Sequence, residues 1–135
     1  MSEIKLKFIG RLNKKLLGKY ANKISNTNVI LTDERLEHIL STHKRDYNLF
    51  CDFLPSILDK PDFILDDNKN LDTIILLKKI NVLDKYVRVV VKLACQNDRN
   101  HPNNSIITMM ELNDRTWHQT LKNRGNIIFQ LDKCE

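Results

Sequence analysis

The chain has 135 residues, enough for one domain (1–135) with a real apolar core and no need of disulfides or a structural metal. Its composition, 41% hydrophobic and 29% charged with only three Gly and three Pro, excludes a disordered or fibrous chain, and no apolar run approaches the roughly 20 residues that span a bilayer. A formal net charge of +5, carried by Lys and Arg spread from Lys5 to Lys133, excludes a basic tail and points to a basic surface assembled by the fold, suited to nucleic acid or an acidic protein.

The opening residues MSEIKLKFIG alternate acid and base rather than forming a signal peptide, so the chain reads as cytoplasmic with no membrane partner. Glu3–Ile9 alternates in hydrophobicity and predicts a short strand or an extended arm. Leu12–Lys23 holds Leu16, Leu17, Tyr20 and Ala21 at near-helical spacing around Gly18 and predicts a helix. Val29–Leu31 leads into Thr32, Asp33 and Glu34, a hydroxyl and two acids suited to a helix start, and that helix is expected to run to about His43. Tyr47–Leu58, with Leu49, Phe50, Phe53, Leu54, Ile57 and Leu58, predicts a second amphipathic helix in which Pro55 fits only near a start or a break.

Phe63–Leu65, Thr73–Ile80, Tyr86–Cys95, Ser105–Leu112 and Ile127–Leu131 then read as strands, and Arg115–Lys122 as a short helix with Trp117 and Leu121 on its core side. The sum is an α+β fold, N-terminal helices packed on a curved, mainly antiparallel sheet. Within Tyr86–Cys95, Val87, Val89, Val91, Leu93 and Cys95 share one face, while Tyr86, Arg88, Val90 and Lys92 share the other and present two cations. Cys51, Cys95 and Cys134 cannot all pair within the chain and form no CxxC, so they read as reduced thiols, with Cys95 a small core residue.

The segment RLEHILSTH, Arg35–His43, holds His38 and His43. Their five-residue spacing turns them about 140° apart on a straight helix, which excludes an i,i+4 zinc pair. Leu36, Ile39, Leu40 and His43 share one face; His38 lies with Glu34, Arg35, Thr42 and Arg45 on the other. His43 can be a helix-end imidazole bonded to a carbonyl and His38 a solvated surface residue; alternatively, one of them works as an acid or base near neutral pH.

In order along the chain, IGRLNKKL, ILTDERLEHILSTH, KPDFIL, NLDTIILLKKI, YVRVVVKLA and NSIITMMEL resemble the phage-associated members of the Barnase/EndoU/colicin/RelE-like (BECR) nuclease superfamily, from about Ile9 to Leu131. The resemblance implies helices against a curved antiparallel sheet and metal-independent RNA cleavage. It places the R-x-x-H-I-x-x-x-H pattern on Arg35, His38 and His43, the strand lysine on Lys92, and N-S-I-I-T on Asn104, Ser105 and Thr108; Arg88 joins them by its parity with Lys92. Family sites commonly lie on the open face of the sheet, whereas the helical reading turns His43 toward the packed face. Either His43 lies beyond the helix end, or His38 is the functional one.

Such cleavage uses the ribose 2'-hydroxyl as nucleophile and leaves a 2',3'-cyclic phosphate and a 5'-hydroxyl. The implied roles are His43, with His38 as substitute, as acid or base; Arg88 and Lys92 on the scissile phosphate; Thr108 as a donor to phosphate; and Arg35, Asn104 and Ser105 in substrate binding. Ser105 and Thr108 have opposite parity, so both serve one site only if a bulge intervenes. Implied partners are RNA, transfer RNA among them, and an acidic immunity protein or antitoxin, for a toxin or mobile-element effector. No GxxxxGK, GxGxxG or HExxH calls for a cofactor or metal, and Asp66, Asp67 and Asp72 read as solvated turn acids. The competing readings are a non-catalytic nucleic-acid-binding domain and a phage structural or interaction domain on the same scaffold.

Overall fold

A computed structural model describes residues 6–95, 103–122 and 126–131. Among these, seven strands, β1 (Leu6–Arg11), β2 (Asn28–Thr32), β3 (Phe63–Asp66), β4 (Thr73–Ile80), β5 (Lys85–Lys92), β6 (Asn104–Leu112) and β7 (Ile127–Gln130), form one sheet in the order β1-β2-β6-β5-β4-β3-β7. Three helices, α1 (Asp33–Phe50), α2 (Leu54–Asp59) and α3 (Asp114–Lys122), complete this α+β fold. Neighbouring strands are antiparallel except β2 and β6, which run parallel and pair only at Val29–Asn104 and Ile30–Ser105. Cys134 and the first three residues of the predicted N-terminal strand lie outside the described residues. No helix among the described residues is long and apolar enough to cross a membrane.

The sheet is covered on both faces. Val87, Val89, Val91 and Leu93 enter the larger core, as their alternation predicts, and meet Ile39, Tyr47 and Phe50 of α1 with Leu54, Ile57 and Leu58 of α2. Cys95 joins this core, where burial pushes its thiol up. On the opposite face Leu65, Leu77 and Leu112 form a second, smaller cluster under Trp117 of α3. A strand at the middle of such a sheet therefore has no solvated face along its whole length, only the stretch that α3 leaves uncovered.

The predicted helix over Leu12–Lys23 is instead two 3-10 turns, Lys14–Leu16 and Gly18–Tyr20. Gly18, which opens the second, has φ +53°, and a Cβ there would lie 3.0 Å from Ile128, so the chain turns left-handed where a continuous helix would have to run on. The apolar residues still bury: Leu17, Tyr20 and Ile24 are core.

Thr32 caps α1 by accepting the Arg35 N–H (3.1 Å), with Asp33 and Glu34 in the first turn. The helix does not stop at His43 but kinks there (φ −138°, ψ 41°) and continues to Phe50, taking Tyr47–Phe50 from the predicted second helix. A cause lies one turn earlier: the Ser41 and Thr42 hydroxyls both donate to the His38 carbonyl (2.8 and 2.9 Å), back-bonding of the kind that competes with the helix ladder and bends it. Pro55 sits in the first turn of α2, where a proline fits.

Candidate functional site

The register fixes which side chains share the face opposite α1. Residues paired across the ladder point the same way, which gives the rows Leu77–Arg88–Met110, Ile75–Val90–Thr108 and Thr73–Lys92–Ser105. Val90 pairs with Thr108 but Val91 with Ile106, so Ile107 is the extra residue of a bulge. That bulge brings Ser105 and Thr108 onto the face of Arg88 and Lys92, despite their opposite parity.

Arg88 lines a cleft of about 490 Å³ with Leu65, Asp67, Asn70, Ile75, Thr120 and Asn126. Its Nε is buried with no hydrogen-bond partner among the described residues. Burial works against the Asp67 charge, but the Asn70 side chain, the Lys69 and Asn70 amides and the Arg88 charge outweigh it and hold this carboxyl below its usual range. The Lys92 ammonium donates to the Leu71 carbonyl (2.8 Å), which also accepts from the Thr73 hydroxyl (3.0 Å), so the β3–β4 turn is tied to the sheet beside the two cations. Lys92 keeps two further N–H donors.

Asn104 has a different setting. It is fully buried, its Oδ1 accepts the Ala94 N–H (2.8 Å) and its Nδ2 donates to the Asn26 and Asn28 carbonyls (2.8 and 2.9 Å). The amide thus ties the β2 and β6 ends to the chain leaving β5, and both of its donors are engaged internally.

The two predicted histidines lie on α1, away from the Arg88 cleft. His38 is exposed and Arg35 half-buried. His43, at the kink, has Nδ1 3.7 Å from an Asp46 carboxylate oxygen that accepts the Glu111 N–H of β6 (3.1 Å). Beyond the short pairing with β2, it is α1 that covers the outer edge of β6. His43 therefore stands at that edge while Arg88, Lys92, Ser105 and Thr108 stand on the face, and no hydrogen bond or ion pair joins the two groups. A groove of about 670 Å³ lined by Lys44, Arg45, Asn48, Leu49 and Lys85 adds basic charge on the His43 side.

A second cleft, about 550 Å³, opens on the other flank of α3, lined in part by Asp62, Phe63, Lys79, Tyr86, Trp117 and His118. Trp117 is buried as expected, stacked on Tyr86 (centroids 4.4 Å, 23°) and edge-on to Phe63 (5.7 Å, 75°). The Tyr86 hydroxyl donates to Asp114 (2.9 Å), and that bond raises its pKa. His118 Nδ1 lies 2.8 Å from the Asp114 carbonyl oxygen, which can only accept, so this nitrogen is the donor and Nε2 faces away from the bond. Sequence reasoning passed over His118; its signal was an Asp one helical turn earlier, at i−4.

Asp66 and Asp67 are engaged rather than merely solvated. Asp66 accepts from Tyr20 (2.7 Å) and Lys19 (2.5 Å), and burial together with that bond moves the Tyr20 hydroxyl well above its ordinary range. No cluster of three or more His, Cys, Asp or Glu side chains arranged to hold a metal occurs among the described residues.

The model of one protein family, described as phage-Barnase-EndoU-ColicinE5/D-RelE like nuclease2, matches residues 3–130. No curated protein and no solved structure matches the chain.

Proposed function

Because the chain belongs to the phage Barnase-EndoU-ColicinE5/D-RelE like nuclease 2 family, whose substrate is nucleic acid, we propose that it is an endoribonuclease working without a metal, by attack of the ribose 2'-hydroxyl on the adjacent phosphate. The products are a 2',3'-cyclic phosphate and a 5'-hydroxyl. The observation that carries this reading is the meeting of Arg88, Lys92, Ser105 and Thr108 on one face of the sheet, two cations beside two hydroxyls. Arg88, with a buried N–H that no group among the described residues accepts, grips two phosphate oxygens; Lys92 adds a point charge as negative charge builds in the transition state. Thr108 and Ser105 donate hydrogen bonds to the same phosphate.

Proton transfer falls to His43, at the edge of the strand that carries Ser105 and Thr108, with Asp46 behind its imidazole. The kink that takes His43 out of regular helix supports this role over His38. One observation favours a second reading: among the described residues no histidine lines the Arg88 cleft, and α3, which covers the same face, carries His118 held by Asp114. In that reading His118 moves the proton. Transfer RNA is the proposed substrate, and an acidic immunity protein or antitoxin the proposed restraint, in keeping with the net charge of +5.

Total RNA and isolated transfer RNA incubated with the protein in EDTA, with the fragment ends identified, test the reaction. Discrete fragments ending in cyclic phosphate, lost in His43→Ala and retained in His118→Ala, are expected. Loss only in His118→Ala moves the acid–base role to α3. Intact RNA with a folded protein that still binds it would leave a nucleic-acid-binding domain without catalysis.

A further inference from the structure

Resting on that nuclease reading, we propose that the cleft between α3 and the sheet is a nucleobase subsite, seating one base beside the phosphate held at Arg88. The cleft joins aromatic and aliphatic walls, Phe63, Trp117 and Leu121, to a small set of polar groups, Asp62, Lys79 and Gln130, in about 550 Å³. That mixture and size suit a planar ligand with a hydrogen-bonding edge, within the roughly 300–1,000 Å³ of small-molecule sites. The aromatic wall is built before any ligand arrives: Trp117 is fixed by its stack on Tyr86, and Tyr86 by its bond to Asp114. An ordered wall avoids the entropy of ordering it on binding.

Position argues for a base rather than another planar molecule. Tyr86, at the cleft, and Arg88, at the phosphate face, are two residues apart on β5 and point the same way, about 7 Å from one another along the strand. A single strand with its phosphate at Arg88 that runs on past α3 reaches the mouth of the cleft on the helix's other flank. The polar groups also discriminate. The Asp62 carboxylate accepts the Lys79 N–H at Oδ2 (2.8 Å) and has Oδ1 left to accept a further donor, which suits the exocyclic amino group of a base, whereas uracil offers only an N3–H flanked by two carbonyl oxygens that the carboxylate repels. Gln130 offers an acceptor and a donor beside it. Lys79, its ammonium 5.7 Å from the centre of the Tyr86 ring and 3.4 Å from Asp84, covers the rim with positive charge for the backbone.

Trp117 is the one tryptophan of the chain, so its indole N–H gives a single reporter at the cleft. Free cytidine, adenosine, guanosine and uridine, which carry no phosphate, are titrated into the full chain while that resonance is followed in 1H–15N spectra. Saturable shifts are expected, with cytidine bound about tenfold more tightly than uridine, the size of one well-made hydrogen bond. Asp62→Asn, which keeps the oxygen that accepts the Lys79 N–H, removes that preference, and Gln130→Ala weakens binding of all four. No saturable shift with any nucleoside, or shifts that both variants leave untouched, would overturn the subsite. Saturable shifts in a protein that leaves RNA intact would refute the nuclease reading alone, and cleavage without them would refute the subsite alone.

Discussion

Ser105 and Thr108 stand on one face of the sheet although they are three positions apart along β6, because the bulge at Ile107 resets the alternation between them. Without it one hydroxyl would enter the core among Ile106 and Met109, an unsatisfied polar group in an apolar layer. The bulge thus converts a strand that satisfies packing into one that also presents two hydroxyls to the cations of β5.

Removing either cation tests that arrangement. Arg88→Ala and Lys92→Ala are each expected to lower RNA cleavage by about 10²–10³-fold, the scale for loss of one charge-stabilising donor in a transition state. Since the Arg88 Nε has no hydrogen-bond partner among the described residues, Arg88→Ala should leave the melting temperature within a few degrees of wild type. Cleavage at wild-type rates by both folded variants would place the chemistry elsewhere.

Asn104→Ala probes a residue whose amide serves the fold. It leaves the Ala94 N–H and two carbonyls without their partner, and is expected to destabilise the protein by about 2–4 kcal/mol in urea unfolding. Full stability with cleavage lost would instead make Asn104 a substrate ligand.

Acid stability follows from Asp66 and Asp67, both held below the ordinary carboxyl value of 3.8 in the folded state: Asp66 against its burial by Lys19 and Tyr20, Asp67 against its burial by Asn70 and neighbouring amides. A depressed folded pKa contributes stability that is present above the unfolded value and lost as pH falls through the folded one. The melting temperature should therefore fall as pH drops from about 5 toward 2, and Asp67→Asn should flatten part of that fall. An unchanged profile in the variant would show that Asp67 is equally acidic in both states.

The kink in α1 gives a fourth test. With Ser41→Ala and Thr42→Ala together the His38 carbonyl loses both hydroxyl donors, and α1 is expected to straighten and gain a few tenths of a kcal/mol. If His43 moves the proton, cleavage falls about tenfold or more as its imidazole shifts. Unaltered cleavage in a stabilised variant would count against His43.

Long, regular segments were legible in the sequence. Thr73–Ile80 is β4 as predicted, and the valines of β5 take the face that their alternation assigns. What failed had local causes that pattern does not carry. Leu12–Lys23 has helical spacing but is broken by a left-handed Gly18 packed on Ile128. The Val29–Leu31 run is too short to show that it joins the sheet, because its partner on β6 lies far along the chain. The shared face of Arg88 and Lys92 was legible from parity, and that of Ser105 with Thr108 only on condition of a bulge. His43 and Asn104 could not be placed, since the edge that α1 covers and the bonds that bury Asn104 are set by tertiary packing.

The single parallel pairing of the sheet also governs when the molecule can be completed. The Asn104 side chain reaches carbonyls 76 and 78 positions earlier in the chain, whereas β4, β5 and β6 are joined to their neighbours by antiparallel pairings over most of their length. Closing so long a loop is entropically unfavourable until the meander exists to receive β2, so β1 and β2 dock late. On the ribosome they emerge before the strand that receives them, since their place beside β6 is created only when β6 has been made. The same strand brings Ser105 and Thr108, so a nascent chain that has reached only β5 holds the cations without the hydroxyls, and the proposed phosphate site is assembled only once β6 has been made.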